Sequence, residues 1–264
     1  MDLKLTGKSA LVTGSTAGIG FAVAQTLAQE GVLTFVNGRS PARVAEAVAK
    51  IQQATPAAQV SGIVADLGTE AGAEELFPQL PQIDILINNL GTYEPKAFFD
   101  ITDADWLKIF EVNVLSGVRL SRHYLPKMLQ QNWGRIIFIS SESGVQIPVE
   151  MIHYGTTKTA QLAISRGLAE MTAGTGVTVN SVLPGPTRSE GVEEFIHKIA
   201  QEKGVSTQEV ETEFFQNLRP TSLIKRFATT EEVATTVVYL ASPLASATNG
   251  AAVRVDGGVV RSII

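Results

Sequence analysis

The sequence predicts a doubly wound α/β fold, a seven-stranded parallel sheet with helices on both faces, in a single domain over 1–264. Three observations predict it. Short runs rich in Val and Ile recur along the 264 residues, as strands buried on both faces require. Longer segments with helical periodicity separate them, the alternation of strand and crossover helix. No linker, repeat or low-complexity tract marks a second domain.

The apolar runs place strands over 9–13, 33–37, 60–64, 83–88, 134–140, 177–183 and 252–255. Helical patterns cover 18–30, 41–54, 70–80, 103–130, 154–172 and 230–240, with Gly and Pro mainly between the periodic segments. The stretch 189–225 breaks the alternation with acidic patches and periodic Phe195, Phe214 and Phe215. Leaving a strand's carboxyl end, it suits a lid over a site, while a purely structural helix pair packing those aromatics fits equally well.

Composition narrows the function classes. The charge of -5 at a pI near 5.3 comes from interspersed residues, so neither a nucleic acid nor an anionic membrane is an expected partner. With no cysteine and three scattered histidines (His123, His153, His197), disulfides, a cysteine nucleophile and a metal site are not expected. No apolar run approaches the roughly 20 residues needed to span a bilayer. The segment from Met1 to Lys8 lacks the order of a signal peptide, and a cytoplasmic protein is the simplest expectation.

The first strand leads into Thr13-Gly14-Ser15-Thr16-Ala17-Gly18-Ile19-Gly20, with a helical pattern at once. Glycines in a strand-turn-helix unit permit a tight turn and let backbone N–H groups approach a pyrophosphate, which makes a dinucleotide the natural ligand. A glycine-rich turn with only a structural role remains the alternative. The second strand ends Asn37-Gly38-Arg39-Ser40, where such a fold presents a residue to the adenosine ribose. Gly38 cannot bond a free 2′-hydroxyl, and Arg39 offers a fork to a 2′-phosphate, so NADP(H) is favoured and NAD(H) stays possible. Arg39 as a solvated surface charge is the competing reading.

Tyr154-Gly155-Thr156-Thr157-Lys158 sets a phenol and an ammonium four residues apart on one helix face. Reducing a carbonyl by hydride leaves an alkoxide that needs a proton, and a neighbouring cation would lower the tyrosine pKa from about 10 toward a working pH. Alone, Tyr-x-x-x-Lys arises often by chance.

The Gly-x-x-x-Gly-x-Gly spacing differs from Gly-x-Gly-x-x-Gly and resembles the turn of the classical short-chain dehydrogenase/reductase family, a Rossmann-type fold. Further elements resemble that family in order along the chain, from Gly14 to Gly258. The resemblance implies catalytic roles for Asn113, Ser141, Tyr154 and Lys158. Ser141, thirteen residues before Tyr154, would polarise the substrate carbonyl, Lys158 would lower the tyrosine pKa and bind ribose, and Asn113 would hold a water linked to the lysine. It implies cofactor contacts from Gly14, Ser15, Thr16, Gly18, Ile19 and Gly20, from Arg39 and Ser40, and from Asp66 and Leu67 at the adenine edge. Asn89 and Gly91, in Asn88-Asn89-Leu90-Gly91, would shape the cofactor floor, with Leu90 where the family has Ala. Pro184, Gly185 and Thr187 would meet the nicotinamide carboxamide, with Ser189 where a Thr is usual.

The expected activity is hydride transfer between NADP(H) and a small carbonyl or alcohol. A catalytically silent cofactor sensor or scaffold, and an epimerase or dehydratase of the same fold, are the alternatives. The family's habit of pairing its long helices implies a homodimer or homotetramer.

Overall fold

The computed structural model describes residues 2–263. Seven strands, β1 (Ser9–Val12), β2 (Leu33–Gly38), β3 (Val60–Val64), β4 (Ile85–Asn88), β5 (Gly134–Ile139), β6 (Val177–Pro184) and β9 (Ala252–Val255), form one parallel sheet in the order β3-β2-β1-β4-β5-β6-β9. A two-residue pair, β7 (Thr187–Arg188) with β8 (Ala228–Thr229), lies outside it. All seven expected strands are present, β3 and β9 with the expected bounds and the other five with one end shifted by one or two residues.

Alternate residues of the central strands feed two cores. Val12, Ile85, Ile87, Ile137 and Ile139 pack on one face beneath α1 (Gly18–Gln29), α2 (Pro41–Ala54) and α9 (Thr230–Ala241). Leu11, Leu86, Ile136 and Phe138 pack on the other beneath α3 (Glu70–Leu76), α5 (Ser116–Gln130) and α6 (Ile152–Met171). Side chains on successive residues point to opposite faces, so burial on both sides yields the continuous apolar runs of the sequence.

The expected helix over 103–130 is not uniform. It runs as α4 (Asp103–Phe110), a π-helical turn (Glu111–Leu115) and α5. Such turns carry an extra residue per turn and recur at functional sites. Within 189–225 stand α7 (Glu190–Lys203), α8 (Thr207–Glu213) and a second π-helical turn (Phe214–Leu218). Phe214, Phe215 and Phe227 stack with ring centroids 5.0–5.1 Å apart and anchor a separate small core.

The strand order reverses between β1 and β4, which opens a crevice at their carboxyl ends. The loops after β1, β4, β5 and β6 all reach that edge.

Candidate active site

The glycine turn is tied down by polar groups from both neighbouring strands. Asn89 Nδ2 donates to the carbonyls of Thr13 (2.9 Å) and Gly14 (3.0 Å), and its backbone N–H donates to Thr13 Oγ1 (2.9 Å). On the other side Asn37 Oδ1 accepts from Gly14 N (3.2 Å). Gly20 sits so close beneath this mesh that a Cβ would stand 2.4 Å from Asn89 Nδ2 and 2.6 Å from the Gly14 carbonyl. Thus Asn89 is more than turn chemistry: it fixes the loop after β1 to the loop after β4.

Whether the turn suits a dinucleotide can be judged from α1. Helices α2, α3, α4, α7, α8 and α9 each begin with a Ser or Thr side chain that accepts a first-turn N–H. Helix α1 begins at Ala17, with no side-chain cap. Its first-turn donors and the positive end of its dipole are therefore left for an outside anion such as a pyrophosphate. Thr16, Gly18 and Ile19 are partly exposed there.

Two of the residues expected at the cofactor, Ser15 and Leu67, are buried. Ser15 is fully so: its hydroxyl donates to the Val12 carbonyl (2.6 Å) and accepts from Asn37 N (2.9 Å), so it builds the turn. Leu67 is 1% exposed within the core under α3 and α5, because the chain turns inward after β3. Beside it, Asp66 Oδ1 accepts from Gly68 N (3.1 Å), and Oδ2 lies 3.8 Å from the exposed Arg39 guanidinium. Ser40 caps α2. A Cβ at Gly38 would lie 2.6 Å from Thr16 Cγ2, so Thr16 would have to shift to admit a side chain there.

Two staples bring the catalytic candidates together. Ser140 Oγ donates to the Lys158 carbonyl (2.9 Å), and Thr159 Oγ1 donates to the Gly144 carbonyl (2.7 Å), clamping the loop after β5 onto α6. Ser141 and Tyr154 consequently line one cavity. Burial, with the Glu142 charge nearby, holds the Tyr154 phenol above the ordinary tyrosine pKa, and its hydrogen bond with Ser141 pulls the other way only in part.

Lys158 does not lower that pKa as the spacing suggests. Its Nζ turns inward to the Ile139 carbonyl (2.9 Å) and Gln161 Oε1 (3.3 Å), and stands 5.6 Å from the centre of the Tyr154 ring. Burial also pushes its own pKa down to about 8, so its charge is readily lost.

Asn113 lies on the first π-helical turn. Its Oδ1 accepts from Thr92 N (2.8 Å), while Nδ2 donates to the Thr92 carbonyl (2.9 Å) and Thr157 Oγ1 (3.0 Å). Its backbone carbonyl accepts from Gln161 Nε2 at 2.6 Å. Gln161 therefore links Asn113 directly to Lys158, all three buried, with Gly91 beside them. Nothing in a glutamine within a regular helical pattern signals this.

Glu142 and Arg219 were also invisible to sequence reasoning. Ser141 Oγ donates to Glu142 Oε2 (2.6 Å), which also accepts from Ser143 N (2.9 Å). Arg219, just beyond the second π-helical turn, donates through Nε to Glu142 Oε1 (3.1 Å) and through Nη1 to Glu150 Oε1 (3.3 Å). The hydroxyl expected to polarise a substrate oxygen is thus committed to a carboxylate. It must rotate away, against a charge-assisted bond typically worth about 1.5–3 kcal/mol, to serve a ligand.

The cavity has a volume of about 610 Å³, with Tyr93, Ser141 and Tyr154 on one wall and residues of α7, α8 and the second π-helical turn on the other. Gly185 and Thr187 line it, Thr187 Oγ1 donating to the Gly185 carbonyl (2.9 Å), while Pro184 is buried at the end of β6. Ser189 caps α7 and faces Gly18, its Cβ 3.5 Å from where that of residue 18 would stand. No helix among the described residues is long and apolar enough to cross a membrane.

The family model described as "short chain dehydrogenase" matches residues 8–200. The chain is 49% identical over 263 residues to the uncharacterized oxidoreductase YvaG of Bacillus subtilis (strain 168), covering 100% of both chains. It is 34% identical to 3-oxoacyl-[acyl-carrier-protein] reductase of Aquifex aeolicus (strain VF5), over 98% of this chain and 100% of that one. Among solved structures it resembles L-sorbose reductase from Gluconobacter frateurii complexed with NADPH and L-sorbose, with a TM-score of 0.92, 29% identity and 100% of both chains covered.

Proposed function

The chain belongs to the short-chain dehydrogenase/reductase family, oxidoreductases acting on alcohol and carbonyl groups, and from that premise we propose that it transfers hydride between NADP(H) and a small carbonyl or alcohol, with Tyr154 exchanging the proton. The observation that carries the reading is the meeting of Tyr154 and Ser141 in a cavity at the carboxyl edge of the sheet, beside a glycine turn left uncapped for an anion.

The bound cofactor would supply the hydride donor or acceptor. Gly14, Gly18 and Gly20 would hold its pyrophosphate at the start of α1, and Asn89 would keep that turn in shape. Tyr154, held protonated by burial, is in the acid form that reduction needs. Ser141 would orient the substrate oxygen once its hydroxyl leaves Glu142. Asn113 and Gln161 would position Lys158, whose amine stands 5.6 Å from the centre of the Tyr154 ring, and Pro184, Gly185 and Thr187 would border the nicotinamide.

The NADP preference rests on three features at the end of β2. Position 38 is a glycine and so offers no carboxylate to a ribose 2′-hydroxyl, the Arg39 side chain is 79% exposed, and Arg43 stands on the first turn of α2. Two guanidinium groups can thus meet a 2′-phosphate. Segment 189–225 acts as the lid. A cytoplasmic homodimer or homotetramer paired through the long helices completes the reading, and light scattering that returned a 28.1 kDa particle would refute the assembly.

The test is NADPH and NADH binding by fluorescence titration, followed by a panel of carbonyls with the preferred cofactor. NADPH should bind more tightly, and Arg39→Asp should weaken it at least tenfold while sparing NADH. Equal affinities in the wild type would remove the preference.

A further inference from the structure

We propose that the substrate is an uncharged ketone, or the corresponding secondary alcohol, whose reacting carbon sits at one end of an apolar body. This rests on the hydride-transfer reading above and assigns the class of molecule that fills the cavity.

The lining of the cavity is divided. One end holds Ser141, Glu142, Glu150 and Tyr154, and a second polar group, Lys203, Glu213 and Asn217, lies among the residues of the lid. Most of the wall contributed by the lid is aliphatic and aromatic, with Val192, Phe195 and Ile199 from α7 and Phe214 and Leu218 from the second π-helical turn, and Phe227 beyond the lid continues it. Val192, Ile199 and Phe214 pack only partly against the small core of the lid. They keep apolar surface for a ligand to cover.

The charges on the lining argue against an anionic substrate. Three carboxylates, Glu142, Glu150 and Glu213, stand against two cations, Lys203 and Arg219. Both cations are already spent. Arg219 bonds Glu142 and Glu150, and Lys203 bonds Glu213 at 2.7 Å. A substrate carboxylate would find no free guanidinium or ammonium on the lining and a net negative field around it. A polyol fits less well: hydroxyls laid along Val192, Phe195, Ile199, Phe214 and Leu218 would have no partner there, each one a penalty.

In the reducing direction, a bound reduced nicotinamide would supply the hydride to the carbonyl carbon and be oxidised in turn. The C=O π pair moves to oxygen, and that oxygen takes the Tyr154 proton to give the secondary alcohol. The apolar body meanwhile lies under α7 and the second π-helical turn, and its burial supplies the selectivity.

The experiment measures kcat/KM with saturating NADPH for unbranched 2-ketones from butanone to 2-octanone, for 7-oxooctanoate, and for a six-carbon ketose. The proposal expects a rise of about fourfold per added methylene, the factor for burying one CH₂. It expects 7-oxooctanoate and the ketose at least tenfold below 2-octanone. Phe195, half exposed at the cavity wall, allows a substitution that the fold tolerates, and Phe195→Ser should flatten the rise with chain length. A flat response in the wild type, or faster turnover of the keto acid or ketose, overturns the substrate class alone. Oxidation of neither NADPH nor NADH by any of these, or by the wider carbonyl panel, overturns the hydride-transfer reading and the proposal with it.

Discussion

Replacing Arg219 with Met removes one charge from a buried pair while keeping most of the side-chain volume. Glu142 is 6% exposed and Arg219 11%, so the carboxylate left behind cannot be rescued fully by water. Breaking such a pair typically costs about 3–5 kcal/mol. Glu142 keeps its bonds from Ser141 Oγ and Ser143 N, which offset part of that loss. Glu150, 38% exposed, adds little, because water replaces its partner. The expected net destabilisation is about 2–3 kcal/mol. Urea unfolding of wild type, Arg219→Met, Glu142→Gln and the double variant measures it. The double variant should be less destabilised than the two single losses added together, by about 1–2 kcal/mol of coupling. An Arg219→Met protein within about 0.5 kcal/mol of the wild type would refute the claim that this pair fastens segment 189–225 to the loop carrying Ser141.

Two further outcomes follow from the geometry. Gly20→Ala places a Cβ 2.4 Å from Asn89 Nδ2, so the amide must leave the Thr13 and Gly14 carbonyls; NADPH affinity should fall at least tenfold by fluorescence titration, and an unchanged affinity would contradict the account of the turn. Burial takes Lys158 from 10.5 to about 8, so between those values the unfolded chain binds a proton that the folded chain does not. Folding stability should accordingly rise with pH across that window through this group, by on the order of 3 kcal/mol, and Lys158→Met should abolish that contribution in urea midpoints measured from pH 7 to 10. The same slope in the variant would show that another group is responsible.

Most of the sheet is legible in the sequence because parallel strands buried on both faces leave unbroken Val and Ile runs, and both ends of β2 and β3 fall within a residue of the pattern. The order of glycine turn, Asn89, Asn113, Ser141 and Tyr154 likewise pointed to one crevice, where the loops after β1, β4 and β5 converge. What spacing could not convey was direction. Tyr154 and Lys158 share a helix face, yet the lysine amine turns to Ile139 and Gln161 instead of the phenol. Ser15 and Leu67 hold motif positions but face inward, because a turn must satisfy its own carbonyls and a strand end must return to the core. Glu142 and Arg219 are 77 residues apart, and only the folding of segment 189–225 over the cavity makes them partners. In that segment Phe215 sits in a small core with Phe214 packed against it, while Phe195 and Phe214 also line the cavity.

The central claim, that Tyr154 moves the proton, is tested most directly by steady-state turnover of Tyr154→Phe with a carbonyl that the wild type reduces, at cofactor concentrations shown by fluorescence to saturate both proteins. The substitution deletes one oxygen and keeps the ring against Tyr93, whose centroid lies 6.1 Å away. The account predicts a loss of about 10²–10⁴ in kcat with NADPH binding retained. Wild-type turnover by Tyr154→Phe would contradict it.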